Sequence, residues 1–169
     1  LWYDASANTF EQWSKSPFLS SEMMEYESTT PMGSVTVPTP ETCSVTYWMN
    51  ILVGLRRPVM LCGPSGTGKT QIVSGMLQTL NPEEYLHNSI NFNFYTNAAV
   101  LQATMGISLV KKTGTNFGPP GTAKLLYFVD DINLPEVDKY DTQSPIELAR
   151  QYVDYKGWFD KVKVKEIGR

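Results

Sequence analysis

The segment at residues 63–70 constrains the fold of this chain more than any other, because it matches the phosphate-binding pattern G-x-x-x-x-G-K-[ST] at each fixed position. An apolar run at residues 58–62 precedes the segment, and apolar residues at helical spacing follow it. A strand, a glycine-rich turn and a helix in this order direct backbone N–H groups and a helix N-terminus towards one anion. The sequence therefore predicts an α/β fold that binds a nucleoside triphosphate.

The positions of this motif have distinct predicted roles. Gly63, Gly66 and Gly68 lack Cβ atoms, so the backbone can adopt positive φ and wrap around a phosphate. Lys69 would contact the β- and γ-phosphates, and the hydroxyl of Thr70 would bind Mg²⁺. The predicted phosphate-binding residues are Gly63, Pro64, Ser65, Gly66, Thr67, Gly68, Lys69, Thr70 and Gln71.

A nucleoside triphosphatase also needs acidic side chains near Mg²⁺ and near the attacking water. The apolar run at 125–129 ends in Asp130 and Asp131, which are predicted to be the Mg²⁺-side acid and the catalytic base. The second acid of such a pair is usually glutamate. Aspartate is shorter, and a misplacement of about 1 Å can cost on the order of 100-fold in rate. The sequence therefore predicts nucleotide binding and leaves hydrolysis open.

The nucleotide is predicted to be ATP or ADP with Mg²⁺. Guanine specificity would require an Asn-Lys-x-Asp run, which the sequence does not contain. The adenine ring is predicted to dock against Val37, Pro38 and Thr39, which precede the phosphate loop.

Charge and hydropathy argue against two classes of partner. The net charge is −3, so there is no overall basic character of the kind that binds nucleic acid. No stretch approaches the roughly 20 apolar residues of a membrane span. We therefore expect neither nucleic acid nor a membrane as a partner.

The remaining periodicity predicts helices and strands in alternation. Helices are predicted at 40–54, 69–80, 96–110 and 144–157. Strands are predicted at 35–37, 58–62, 89–95, 125–129 and 162–167, with a hairpin or loop at 111–122. Two helix starts have specific signals: Thr39 before Pro40, and a capping box from Ser144 to Glu147. Strands that alternate with helices indicate a doubly wound parallel sheet.

At this point the chain resembles a known family. The run Phe128-Val129-Asp130-Asp131-Ile132-Asn133-Leu134-Pro135-Glu136-Val137-Asp138-Lys139-Tyr140 resembles the Walker B region of the third AAA+ module of dynein heavy chains. Segments at 91–96, 116–121, 145–151 and 157–160 are similar to the same module, so the resemblance covers nearly the whole chain. The Asp-Asp pair, in place of Asp-Glu, is more like axonemal than cytoplasmic dyneins.

The resemblance implies a P-loop NTPase fold of the AAA+ type, with a parallel sheet in a three-layer αβα arrangement. Residues 35–169 would be a partial AAA+ large (αβ) subdomain, and residues 1–34 a connector from the preceding module. The arginine finger, the sensor residues and the helical lid would then come from sequence outside this chain.

The resemblance also implies a function. The chain would be an ATP-binding regulatory module that turns nucleotide over slowly, within a ring of modules that drives a microtubule motor. Its implied partners are the neighbouring AAA+ modules of the same heavy chain, microtubules, and dynein intermediate and light chains. The implied location is the cytoplasm or cytoskeleton, in a cilium or flagellum axoneme.

Two other functions fit the motifs. One is a free-standing P-loop ATPase or kinase, which would need an arginine-rich lid. The arginines of this sequence are Arg56, Arg57, Arg150 and Arg169, and none lies in a lid-like segment after the strand predicted at 125–129. The other is a nucleotide-binding structural module without hydrolysis, which turnover in the intact motor would distinguish.

Overall fold

A computed structural model describes residues 1–19, 37–114, 116–159 and 166–168. The chain forms two compact units, Leu1–Thr79 and Leu80–Arg169. Several predicted features lie outside the described residues: positions 35 and 36 of the first predicted strand, the boundary between residues 34 and 35, and most of the last predicted strand. The division into a connector and a subdomain stays a prediction.

The first unit contains a hairpin, a short 3-10 helix and two α-helices. Their bounds are β1 Trp2–Asp4, β2 Thr9–Glu11, the 3-10 helix Trp13–Lys15, α1 Pro40–Gly54 and α2 Lys69–Thr79. β1 and β2 pair antiparallel. The buried ring of Trp13 and the ring of Phe18 lie 5.3 and 5.0 Å from the ring of Tyr47 on α1, so aromatic packing holds this N-terminal segment on the helix.

Helix α1 begins and ends where the sequence predicts. The Thr39 hydroxyl accepts a hydrogen bond from Thr42 N at 3.2 Å, and the Thr42 hydroxyl accepts one from Thr39 N at 2.8 Å. This reciprocal pair is a capping box that satisfies two helix-terminal donors. At the other end, Arg57 N donates to Leu52 O and Arg56 N donates to Val53 O, which are the two bonds of a Schellman motif.

The left-handed residue of this motif is Arg56, with φ of 55°, and not a glycine. We expect Arg56→Gly to stabilise the first unit by about 1 kcal/mol, because a residue with a Cβ atom is disfavoured in this conformation by roughly 1–2 kcal/mol. Urea unfolding of both proteins measures the difference. Arg57→Gly is the control, since the φ of Arg57 is not positive; equal stabilisation by both changes would contradict the prediction.

The predicted strand at 58–62 is wrong. These residues have no regular secondary structure, and Val59 and Met60 are exposed. Pro58 has no N–H to donate. A run of apolar residues becomes a strand only when a neighbouring strand pairs with it, and in the described part of the first unit the strands β1 and β2 pair with each other.

The second unit is built around a parallel strand pair. Its elements are β3 Tyr85–Asn91, α3 Ala98–Ile107, β4 Val110–Thr113, β5 Asn116–Gly118, β6 Lys124–Asp130, α4 Ser144–Tyr155, β7 Gly157–Phe159 and β8 Glu166–Gly168. β3 and β6 pair in parallel, from Tyr85 with Lys124 to Asn91 with Asp130. β4 pairs antiparallel with β5, and β7 with β8. The strand predicted at 125–129, which is β6, and the hairpin predicted at 111–122 are therefore confirmed.

The core of this unit lies on one face of the parallel pair. Its buried residues come from β3, the residue directly after β3, α3, α4 and β7: Ile90, Phe92, Leu101, Met105, Leu148 and Trp158. Tyr127 and Val129 of β6 pack against them. The Tyr127 hydroxyl donates to Met105 O at 2.7 Å, and burial raises the pKa of this tyrosine well above its ordinary value. Helices α3 and α4 thus fix the strand that ends in the predicted acids.

The strand predicted at 89–95 is β3, which lies four residues earlier. It covers 85–91 instead of 89–95, because the chain turns at Asn93. The Asn93 side chain accepts hydrogen bonds from Tyr95 N and from the Thr96 hydroxyl, which forms an Asx turn. Phe94 and Tyr95 therefore leave the strand and are exposed.

Two helix starts also differ from the prediction. Asn97, not Thr96, caps α3, and its side chain accepts from Ala99 N and Val100 N. The capping box at Ser144 is wrong: the Ser144 hydroxyl accepts from Ala98 N at 3.2 Å, and a tertiary contact thus replaces the local one. The partner of Glu147 is Arg150, at 2.8 Å.

None of the helices in the described ranges is both long and apolar enough to cross a membrane.

Candidate nucleotide-binding site

The phosphate loop has the backbone conformation that the motif predicts at two of its three glycines. Gly66 and Gly68 have φ of 79° and 78°. A Cβ atom at either position would meet nothing within 4 Å, so the need for glycine there is conformational and not spatial. Gly63 does not have a positive φ, and the prediction is wrong for this residue.

Lys69 lies over the loop that it follows. Its Nζ atom donates to Gly63 O at 3.0 Å, to Pro64 O at 2.7 Å and to the Thr67 hydroxyl at 3.3 Å. The Thr67 hydroxyl in turn donates to Pro64 O at 3.0 Å. The ammonium group is thus held at the mouth of the loop, where an anion bound by the loop would meet it.

The start of helix α2 and the exposed loop residues complete the motif. Helix α2 begins at Lys69, and Ile72 N donates to Gly68 O in its first turn. The positive end of the helix dipole therefore lies at the loop. Pro64, Ser65, Thr70 and Gln71 are all exposed. This arrangement can bind a phosphate chain from solvent.

The residues predicted to contact adenine directly precede helix α1. Val37 is exposed, and Pro38 and Thr39 are partly exposed. The Thr39 hydroxyl is engaged in the helix cap, so it would contact a base through its methyl group or its backbone. Adenine binding by these three residues stays a prediction.

The two acids belong to the second unit and end strand β6. Asp130 is its last residue, and Asp130 O accepts a hydrogen bond from Phe92 N at 3.0 Å. Asp131 is the first residue beyond the strand and has φ of 54°. Its N–H donates to Asp130 Oδ1 at 3.0 Å. The strand end therefore fixes one carboxylate through the backbone of the next residue.

Gln143 holds the loop that follows the acids, a role that the sequence did not indicate. Its Nε2 atom donates to Asn133 O at 3.3 Å and to Pro135 O at 2.5 Å. Gln143 is eight residues from Pro135 in sequence and caps α4 through its backbone. No local motif connects these positions, so only a comparison of many related sequences could have shown the link.

The described residues contain no group of three His, Cys, Asp or Glu side chains able to hold a metal ion by themselves. Mg²⁺ is commonly bound by one or two carboxylates together with substrate phosphates and waters. The carboxylate of Asp130 is a ligand of this kind.

Comparison with known proteins identifies the family. A protein-family model described as a P-loop containing dynein motor region matches residues 24–168. The chain belongs to this dynein motor family. The resemblance to dynein heavy chains and the P-loop α/β class predicted from sequence are both confirmed.

Axonemal dynein heavy chains are close relatives. Dynein axonemal heavy chain 9 of Homo sapiens is 45% identical over 166 residues, and the ciliary dynein beta chain of Tripneustes gratilla is 42% identical over 166 residues; each match covers 97% of this chain. The flagellar outer arm dynein alpha chain of Chlamydomonas reinhardtii is 44% identical over 142 residues, or 83% of this chain. The chain spans 3% to 4% of the length of these dyneins. The assignment to the third module stays a prediction.

Proposed function

We propose that this chain is an ATP-binding regulatory AAA+ module, the third of the ring, in an axonemal dynein heavy chain. The observation that carries the proposal is the phosphate loop: two glycines in the left-handed conformation, an ammonium group held at its mouth and a helix N-terminus behind it. Membership of the dynein motor family supports a module of a larger motor over a free-standing kinase.

We assign the site residues as follows. The backbone of residues 63–68 and the side chain of Lys69 bind the phosphates, while Val37, Pro38 and Thr39 contact adenine. Thr70 and Asp130 supply the oxygen ligands of Mg²⁺, which neutralises phosphate charge when it is bound. Asp131 accepts the proton of the attacking water. Gln71 lies beside the phosphates in the first turn of α2.

The wider context of the proposal comes from the relatives. Their names place them in the axoneme, in cilia and in the flagellar outer arm. We infer that this chain acts with the other AAA+ modules of its heavy chain, with microtubules and with dynein intermediate and light chains, in the axoneme. Residues 35–169 would form its partial large subdomain, and residues 1–34 the connector.

A second candidate is a module that binds nucleotide without hydrolysing it. The observation that favours it is the aspartate at position 131. Its side chain is one methylene shorter than that of glutamate, and its backbone is left-handed. Turnover in the intact motor, with its main hydrolysis site inactivated, distinguishes this candidate from slow hydrolysis.

Displacement of a fluorescent ATP analogue from the purified chain tests the proposed function. We expect ATP and ADP to displace the analogue at least about 10-fold better than GTP, since contacts to a base are worth roughly 1–3 kcal/mol. Chelation of Mg²⁺ should weaken ATP binding and serves as the control for the metal. Equal displacement by GTP would contradict the adenine assignment, and no binding of the analogue would contradict the proposed function itself.

A further inference from the structure

The backbone reverses directly after strand β6. Asp131 is the residue at the reversal, with φ of 54°, and Leu134 N donates to Asp131 O at 3.0 Å to close the turn. Residues with a Cβ atom rarely adopt this conformation. Aspartate and asparagine do so several-fold more often than other such residues, glycine does so freely, and β-branched residues are genuine outliers.

This turn controls the carboxylate of the preceding residue. The N–H of Asp131 lies in the peptide plane that joins it to Asp130, and it donates to Asp130 Oδ1 at 3.0 Å. The left-handed φ of Asp131 lets the chain reverse directly after this peptide. Asp130 O is held separately by Phe92 N of the neighbouring chain segment. Asp130 is therefore fixed by the sheet at its backbone and by Asp131 at its side chain.

The surrounding structure supports the turn from two sides. The Gln143 carboxamide donates to Asn133 O and Pro135 O, within and just beyond the turn. Glu136 N donates to Phe94 O at 3.0 Å, which ties the loop to the segment after β3. An uncommon backbone conformation persists only where several contacts determine it, and such positions cluster at functional sites.

We propose that Asp131 is a positioning residue whose main-chain N–H orients the Asp130 carboxylate for Mg²⁺, and that the left-handed turn that keeps this N–H in place, not the reach of its own carboxylate, selects aspartate over glutamate here. The inference rests on the proposed function, in which Asp130 is a ligand of Mg²⁺. It adds a role for the main chain of Asp131 that is independent of proton transfer.

The test is the Mg²⁺ dependence of ATP binding in four variants of the purified chain: Asp131→Asn, Asp131→Gly, Asp131→Glu and Asp131→Val. The readout is the ratio of the Kd for the fluorescent ATP analogue with Mg²⁺ chelated to the Kd with Mg²⁺ present. We expect the asparagine and glycine variants to have ratios about 5- to 30-fold larger than the valine variant, the range that corresponds to a left-handed cost of roughly 1–2 kcal/mol. The ratio for the glutamate variant should be smaller than the ratio for the asparagine variant, although glutamate keeps the negative charge.

Asp141→Val is the matched control. Asp141 is also left-handed, with φ of 59°, and its N–H donates to Asp138 O in a turn of the same loop, away from Asp130. The Asp141→Val change should lower the melting temperature as Asp131→Val does, yet leave the ratio of Kd values unchanged. This result would separate the orientation of Asp130 from a loss of stability.

The possible orders of the variants decide the matter. The inference is supported if the Kd ratios are large for the residues that tolerate the left-handed conformation, asparagine and glycine, and small for glutamate and valine. An order that follows charge, with glutamate strong and asparagine and glycine weak, overturns it, and so does a single ratio for all four variants. If the unaltered chain binds the analogue without any dependence on Mg²⁺, the proposed metal site fails before the role of Asp131 is reached.

Discussion

Lys69→Ala is expected to abolish measurable ATP binding, with a loss of at least about 100-fold in affinity. The Nζ atom of Lys69 is held at the mouth of the phosphate loop by Gly63 O and Pro64 O. A charged hydrogen bond contributes about 1.5–3 kcal/mol, and two phosphates would share this ammonium group. Its removal leaves the phosphate charge to the backbone N–H groups of the loop, without this ammonium group.

Titration with the fluorescent ATP analogue measures this loss. Lys111→Ala is the control, because Lys111 lies in the exposed strand β4 and has the same charge. Since Lys69 also bonds to loop carbonyls, the melting temperature of each variant should be measured alongside the affinity. Unchanged affinity in a folded Lys69→Ala protein would remove the phosphate loop from the nucleotide site.

Leu101→Ala is expected to lower the free energy of unfolding of the second unit by about 2–5 kcal/mol. Leu101 lies on α3 in the centre of the core, with 1% of its surface exposed, and packs among Ile90, Phe92 and Leu148. Truncation removes apolar contacts and leaves a cavity that the helix and strand can close only partly. Urea unfolding followed by tryptophan fluorescence should show the loss, because Trp158 belongs to the same core.

The same helix provides the control. Ile107 is its last residue and is 82% exposed, so Ile107→Ala should change the free energy of unfolding by no more than about 0.5 kcal/mol. Equal effects of the two changes would mean that α3 is not packed as the structure shows.

Features that depend on a few neighbouring residues could be predicted from the sequence. The phosphate loop, with glycine at 66 and 68 and helix α2 starting at Lys69, follows from backbone sterics within a short segment. The start of α1 also follows from local chemistry, because the Thr39 hydroxyl needs to reach only three residues along the chain. Strand β6 and the acids that end it could be predicted because a fully apolar run followed by charge is a local pattern.

Features that depend on distant partners could not be predicted. The run at 58–62 has the composition of a buried strand but lacks strand pairing, which no property of the run itself encodes. Ser144 has the spacing of a helix cap, yet its hydroxyl accepts from Ala98 N, 46 residues away. The end of β3 is a different case: the turn at Asn93 is local, but the alternation of Ile90, Phe92 and Phe94 is also a local pattern, and the sequence does not show which of the two prevails.

Asp130 and Asp131 show both kinds of feature, those set by neighbouring residues and those set by distant ones. The sequence by itself determined which residues are acidic and that they follow an apolar strand, because residue type and hydropathy are local properties. Only the tertiary structure decided that Asp131 turns into the left-handed region and donates its N–H to Asp130. That conformation is stabilised by Gln143 and by the segment after β3, which are distant in sequence and meet the turn only because the chain is folded.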